Sequence, residues 1–499
     1  RMLVSATHTH TAPAAMGCLG TDADPAYVPF LREKIAEAIA AAAANLEPAR
    51  VGFGVGSAAD YTAVRRWIIR PDRIGEDPFG NPTLRANMHA GAKPDDVTGE
   101  SGPEDPDLAI LSIQALDGRP LAVLANFSMH YFAGVPALNS DYFGLFCEGL
   151  QERIGRPAAG KAACVVAMSH GCSGDIWRRD YTQPAPPAGH EITIDAFTRG
   201  LLDEAGRVLD RIDHRADADL AMAEGRMQLD YRVPDKQRLL WARQIVAAMG
   251  DRPPKTREEV YAREALILHE RQSTEVVVQA LRIGDIAIAT TPNETYALTG
   301  LKLKLQSPLP RTMVIELANG GDGYIPPPEQ HLLGGYTTWP ARSAGLEVRA
   351  EPKITERALE LLESVTGKRR RGHRQAAGPA AEAVLALGPA AYWRLDDFVG
   401  PRAVDSASHQ RDAWYEPGVV FFLAGPRSER FCLGGDTNRA AHFAGGRLDA
   451  RLTGLGDRYT ISLWCWNGMP ATGRGTAGWL FSRSPNNGLH PAGEHLGVG

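Results

Sequence analysis

Five apolar, strand-like runs in this chain each lead into side chains suited to metal binding or acid–base work. Residues 2–4 lead into His8 and His10, 121–124 into His130, 164–166 into His170 and Asp175, 286–289 into Glu294, and 313–315 into the stretch from Asn319 to Tyr324. In open sheets ligands gather beyond the carboxyl ends of the strands, where the loops leave a crevice, so these residues are expected to converge. An extended His8-Thr9-His10 would point both imidazoles the same way, because side chains alternate with period two. One could then ligate a metal while the other donates a proton or a hydrogen bond nearby. Each signal alone is weak. Most HxH pairs are surface or core histidines, and His130, inside Asn-Phe-Ser-Met-His-Tyr-Phe, reads by default as a satisfied core histidine. Glu294 fits equally well as a helix N-terminal carboxylate favoured by the macrodipole. Tyr324 reads as a packed aromatic, since a phenol with pKa near 10 is a rare ligand. Two histidines and a carboxylate on separate strand ends nevertheless match a common catalytic zinc shell, which keeps a position open for a water of pKa about 7. The glycine-rich Asn319-Gly320-Gly321-Asp322-Gly323 lacks both the Walker lysine and GxGxxG spacing, so no nucleotide site is indicated.

The elements that must position these residues fall into two regions. In the first, helices are expected over 25–46 (capped by Asp24), 140–154 (opening on Ser140), 194–212, 234–249, 256–272 and 355–365. Two hairpins are expected, 108–116 with 120–124 across Asp117-Gly118, and 274–283 with 286–290 across Gly284-Asp285. Strands mixed with helices indicate an α/β or α+β domain. The second region has short runs at 391–395, 418–423, 459–466 and 479–482 between Gly/Pro/Asp/Asn turns, the pattern of an antiparallel sandwich whose core its aromatics would fill. The join is the basic run Lys368-Arg369-Arg370-Arg371-Gly372-His373-Arg374, which reads as a solvated linker. The expected organisation is therefore a catalytic α/β domain at 1–367, a basic Gly-Pro linker at 368–380 and an incomplete all-β sandwich at 381–499.

Composition narrows the function classes. The chain has 499 residues, 54 Lys+Arg against 59 Asp+Glu, and a formal charge of −5. Two or more globular domains are expected from that length. Basic residues are scattered apart from the one run, which argues against a nucleic-acid groove. No stretch approaches the roughly 18 apolar residues of a membrane span. The six cysteines (Cys18, Cys147, Cys164, Cys172, Cys432 and Cys465) form no CxxC pair and do not settle the redox compartment. Beginning at Arg1 inside one apparent strand and stopping at Gly499 inside a β-rich pattern, the chain reads as a fragment of a longer protein.

His8-Thr9-His10-Thr11-Ala12-Pro13 resembles the HTHSGP motif of the neutral, non-lysosomal ceramidases, and the likeness extends over residues 1–365 except for the family's opening strands. The resemblance implies a zinc ion held by His8, His130, Glu294 and Tyr324. Tyr324 and Tyr336 also keep the family's two tyrosines twelve residues apart. His10 is implied as the acid/base and substrate-contacting residue. Arg65, with Tyr336, is implied to bind and polarise the amide carbonyl, and Arg66 remains an alternative to Arg65. One departure stands out. The family's Gly-Asp-Val-Ser-Pro-Asn aligns with Gly174-Asp175-Ile176-Trp177-Arg178-Arg179, so Trp177 replaces a serine once assigned as nucleophile. Ser173 lies just upstream and reads as an ordinary loop serine. Hydroxide on zinc needs no protein nucleophile, so the change bears on the substrate more than on the chemistry. The second region resembles the start of a concanavalin A-like, laminin-G-like jelly roll.

The expectation is thus a zinc-dependent amidohydrolase acting on an amphipathic N-acyl lipid or another small amide, exported to the periplasm, cell surface or medium as family members usually are. The alternatives are a catalytically silent protein that binds glycans through the second region, and a zinc esterase on the same scaffold.

Overall fold

The computed structural model describes residues 2–155, 161–407, 409–433, 436–470, 473, 478–483 and 493–498. Arg1 and Gly499, on which the expectation of a fragment rests, lie outside them. Two four-stranded sheets form the first region. In one, the strands Ala49–Ser57, Asp107–Ala115 and Pro120–Phe127 pair antiparallel in that order, and Val165–His170 adds parallel to the last. In the other, Leu220–Asp230, Ser273–Ile283 and Ile286–Thr290 pair antiparallel, and Arg311–Ile315 adds parallel. Both expected hairpins form across their predicted turns.

Alternation along the strands dictates how the sheets stack. Ala109, Leu111 and Phe53 of the first sheet meet Ile286, Ile288, Met313 and Ile315 of the second in one cluster. Their neighbours Leu108, Ile110, Val123 and Ala125 face the other way, onto Tyr142, Phe146 and Leu150 of the helix Asp141–Ile154 and Phe197 and Leu201 of the helix Ile194–Leu209. Ala287, Ala289 and Val314 likewise face Ile354, Ala358 and Leu362 of the helix Ala350–Thr366. The result is a helix–sheet–sheet–helix sandwich, in agreement with the expected α/β class. Each parallel pair is joined through a helix, Asp141–Ile154 in one sheet and Ala297–Gln306 in the other.

Most helices fall within two residues of expectation, except that 194–212 stops at Leu209 and 355–365 extends to Ala350–Thr366. Thr256 and Glu259 complete a capping box, and Thr193 and Asp235 each accept an N-terminal amide. Ser140 makes no such bond; Asp141 Oδ1 instead accepts from the amides of Tyr142 and Phe132. Asp24 Oδ1 accepts from Ala26 N and Tyr27 N ahead of the helix Tyr27–Ala44. Residues 2–4 form no strand. They run beside residues 317–319 through one bridge, Ser5 with Ala318.

In the second region three antiparallel groups form: Arg402–Ala403 with Ala413–Tyr415 and Leu448–Asp449, Val419–Ala424 with Arg439–Phe443, and Gly478–Arg483 with Glu494–Val498. Two expected strands do not. Residues 391–395 make a single bridge, Trp393 with Asp405. Residues 459–466 find no partner strand among the described residues, and Trp464 and Trp466 are exposed rather than core. The core here is Tyr415, Val419, Phe421 and Phe422, packed against Leu298 and Leu301 of the first region. The basic run is held down: Arg370 pairs with Glu356 and Glu363, and Arg371 donates to Ser307 O and Lys304 O. The short helix Pro379–Ala386 follows it. No described helix is long and apolar enough to cross a membrane.

Candidate metal centre

Both parallel pairs end at the same end of the sandwich. Phe127 pairs with His170 at the close of one and Thr290 with Ile315 at the close of the other. The ends are tied together: Glu316 N donates to His170 O at 2.9 Å, and Glu316 Oε1 accepts from Ser173 N and Ser173 Oγ, both at 3.0 Å. Just beyond, the short strand Glu294–Thr295 pairs in parallel with Tyr324–Ile325, setting Glu294 beside Tyr324. Gly323 permits this. It has φ +77°, and a Cβ there would lie 2.1 Å from the carbonyl of Ser343. A second small pairing, Ala63–Val64 with Ile176–Trp177, brings Arg65 next to Trp177.

Four donor atoms gather in this crevice. His8 Nε2 lies 3.1 Å from His130 Nε2 and 3.0 Å from His10 Nε2. Glu294 Oε2 lies 3.4 Å from His8 Nε2 and 3.7 Å from His130 Nε2. The segment is not extended, as the sequence suggested. His8 has φ +61°, and this left-handed kink, not period-two alternation, brings the two imidazoles together. Among the described residues His8, His10 and His130 form the group whose ligand atoms, all within 4.8 Å of one another, could hold a metal ion. Donors about 2.0–2.2 Å from a shared zinc ion stand roughly 3.3–3.6 Å apart in a tetrahedron, and the observed separations, from 3.0 to 3.7 Å, bracket that range. Glu294 Oε2 is buried without a hydrogen-bond partner, an expensive state for a carboxylate oxygen unless a cation meets it.

The electrostatics agree. Burial lowers His8 and His130 well below the ordinary 6.5, helped by neighbouring imidazoles and Arg65, so both are neutral, the state a metal ligand requires. Burial, with Arg65, brings His10 down to about 4, although one edge of its ring meets solvent. Burial raises Glu294 to about 8, which Arg65 partly opposes, and lifts Tyr324 well above 10.

Arg65 and Arg66 separate cleanly. Arg65 Nη2 donates to Tyr324 Oη at 3.0 Å and to Gly174 O at 3.1 Å, and lies 3.2 Å from His130 Nε2. Arg66 points into the body, where it is fully buried and donates to Gln330 Oε1, Gln330 O, Gly334 O and Ala86 O. Tyr336 stands one layer out, its ring 5.5 Å from that of Tyr324. Ser173 is fully buried and bound to Glu316 and His170, so no substrate reaches it. Asp175 Oδ1 accepts from Ala297 N at the start of a helix. Sequence reasoning missed Tyr131, whose ring stacks on His10 at 3.5 Å; its adjacency to His130 was the available signal. It also missed His89, 5.1 Å from the Trp177 ring, and Tyr181, whose hydroxyl lies 2.7 Å from His89 Nδ1.

No family model and no curated protein matches the chain. Among solved structures it is similar to the crystal structure of neutral ceramidase from Pseudomonas aeruginosa, at 14% identity and TM-score 0.49 over 76% of this chain and 63% of that one. It is also similar to a ceramidase complexed with C2, at 14% identity and TM-score 0.50 over 74% and 63%. At this identity the likeness is one of fold, and the chain spans 63% of the length of either structure.

Proposed function

We propose that the chain is a zinc-dependent amidohydrolase that cleaves an N-acyl amide, on the plan of the neutral ceramidases whose fold it shares. The observation that carries this reading is the meeting of His8, His130 and Glu294, from distant parts of the chain, with an unpartnered carboxylate oxygen among neutral imidazoles. His8, His130, Glu294 and Tyr324 would hold the ion. When bound, zinc supplies Lewis acidity toward a carbonyl oxygen and acidifies water.

The remaining steps belong to side chains. Arg65, fixed by Tyr324 and Gly174, presents a cation where a tetrahedral oxyanion needs stabilisation, and Tyr336 adds a phenol behind it. His10, at the solvent edge and neutral at pH 7, accepts a proton and returns it to the leaving nitrogen. Tyr131, stacked on His10, restrains that ring. With Trp177 in the serine position and Ser173 buried, no protein nucleophile is required. We assign this activity to residues 1–367, with 381–499 as an appended β region joined through 368–380, and we expect export.

Metal analysis of purified protein tests the reading. One zinc per chain is expected, lost in His8→Ala and in Glu294→Ala. Equal metal content in both variants overturns the site. Chelator-sensitive turnover of a lauroyl amide panel, run beside an ester panel, tests the chemistry.

A further inference from the structure

The Trp177-Arg178-Arg179 segment, where the sequence departs from the ceramidase motif, builds one wall of the crevice. The Trp177 ring lies 5.2 Å from Tyr131 and 6.2 Å from His130. Arg178 lies over it, Cζ 4.9 Å from the Trp177 ring and 4.2 Å from that of Phe132, and donates to Phe132 O, two residues beyond His130. Arg179 Cζ lies 4.9 Å over the ring of Tyr181, whose hydroxyl meets His89. Burial raises the Tyr181 phenol, and Arg179, Arg178 and Arg65 oppose that rise, so all three guanidiniums lie within electrostatic reach of it.

These cations are poorly answered. Among the described residues neither Arg178 nor Arg179 forms an ion pair, and Arg179 Nε and Arg65 Nε are buried without partners. Of the nearby acids, Asp141 takes two backbone amides and Asp180 accepts from Thr182, while Asp175 gives Oδ1 to a helix N-terminus and faces Arg65 and Arg66 from the buried side; Glu191 is an exposed counter-charge. Glu294 would be spent on the metal. A neutral diol head group leaves Arg178 and Arg179 without a counter-charge, whereas a carboxylate matches the planar guanidinium fork in shape and charge. Tyr131, half-buried beside Trp177, offers an acyl chain apolar contact.

We infer that this wall selects an N-acyl amide whose leaving amine carries a carboxylate, an N-acyl amino acid, over a neutral sphingoid-type amide. The inference rests on the hydrolase reading above and specifies its substrate. Hydrolysis breaks the acyl C–N bond, water supplies the new oxygen on the acyl carbon, and the amino acid leaves with the proton.

The test compares zinc-loaded full chain on N-lauroylglycine and N-lauroylethanolamine, which share the acyl chain and differ in a carboxylate against a hydroxyl. A kcat/KM at least tenfold higher for N-lauroylglycine at low salt is expected, shrinking as salt screens the charges. Arg179→Gln and Arg178→Gln should each cut that ratio severalfold through KM, while Arg179→Lys retains most of it. Equal rates, or faster cleavage of the ethanolamide, overturn the inference and leave the hydrolase reading standing. If neither amide is cleaved the hydrolase reading fails, and binding decides the charge argument, read as quenching of tryptophan fluorescence. Tighter binding of N-lauroylglycine, weakened by Arg179→Gln, upholds it; indifference to the carboxylate overturns it.

Discussion

Replacing Glu294 by Gln keeps the shape of the side chain and removes its charge, and the consequences differ in sign between metal-free and metal-loaded protein. Without a cation, burial raises the Glu294 carboxyl from 4.5 to about 8. The folded state therefore binds a proton that the unfolded state has released between those values, and stability falls as pH rises from 4.5 toward 8. At 1.36 kcal/mol per pKa unit the full cost is about 5 kcal/mol. Metal-free Glu294→Gln escapes that cost. It should match the wild type near pH 4.5 and exceed it by several kcal/mol at pH 8, measured by denaturant or thermal unfolding in chelator. With zinc the order reverses, because the amide is a poor ligand and the variant loses the anionic donor. Zinc affinity should fall well beyond the 10–100-fold typical of losing a supporting partner, and the zinc-induced rise in Tm should largely vanish. A Glu294→Gln protein whose metal-free stability tracks the wild type at every pH, or which binds zinc undiminished, would show that this carboxylate is neither buried at a cost nor directed at a cation.

Gly323→Ala forces a side chain into a left-handed residue and against Ser343, so a loss of about 2–4 kcal/mol in stability is expected, with weakened zinc binding from a displaced Tyr324, measured by unfolding and zinc titration. Ser173→Ala removes a buried bond to Glu316 and should cost about 1–3 kcal/mol while chelator-sensitive turnover persists; abolished turnover in a folded variant would restore a serine nucleophile. Arg66→Met strips four carbonyl-type acceptors of their donor and should destabilise by about 3 kcal/mol or more, whereas Arg65→Met should retain the fold and lose turnover. With His10 lowered to about 4, and a bound cation able only to lower it further, the acid limb of a pH–rate profile governed by His10 should fall near or below pH 4, not at the 6.5 of an ordinary imidazole.

What the sequence disclosed was local. Asp117-Gly118 and Gly284-Asp285 sit between alternating runs, and both hairpins followed; Thr256 with Glu259 announced a helix start that formed as a capping box. The stacking of the two sheets was not legible, because residues 286–290 are buried on both faces and carry no alternation to say which face meets which layer. The approach of His130, Glu294 and Tyr324 followed from their places beyond strand ends, but the means by which His8 and His10 meet did not, since a histidine at positive φ leaves no composition signal. Arg65 and Arg66 are indistinguishable by type, and only the pairing of residues 63–64 with 176–177 turns one to the crevice and the other into the body. Residues 459–466 have every local mark of a strand, yet a strand also needs a neighbour.

His130 extends from one layer of the sandwich and Glu294 from the other, and Tyr324 follows the second. A cation shared by them would act as a clasp across the open seam, so sliding of either layer past its mate would be felt first as a change in ion retention. Loss of the ion and loosening of the seam between Leu111 and Ile288 would then be a single event, visible as zinc release that precedes exposure of the helical outer layers.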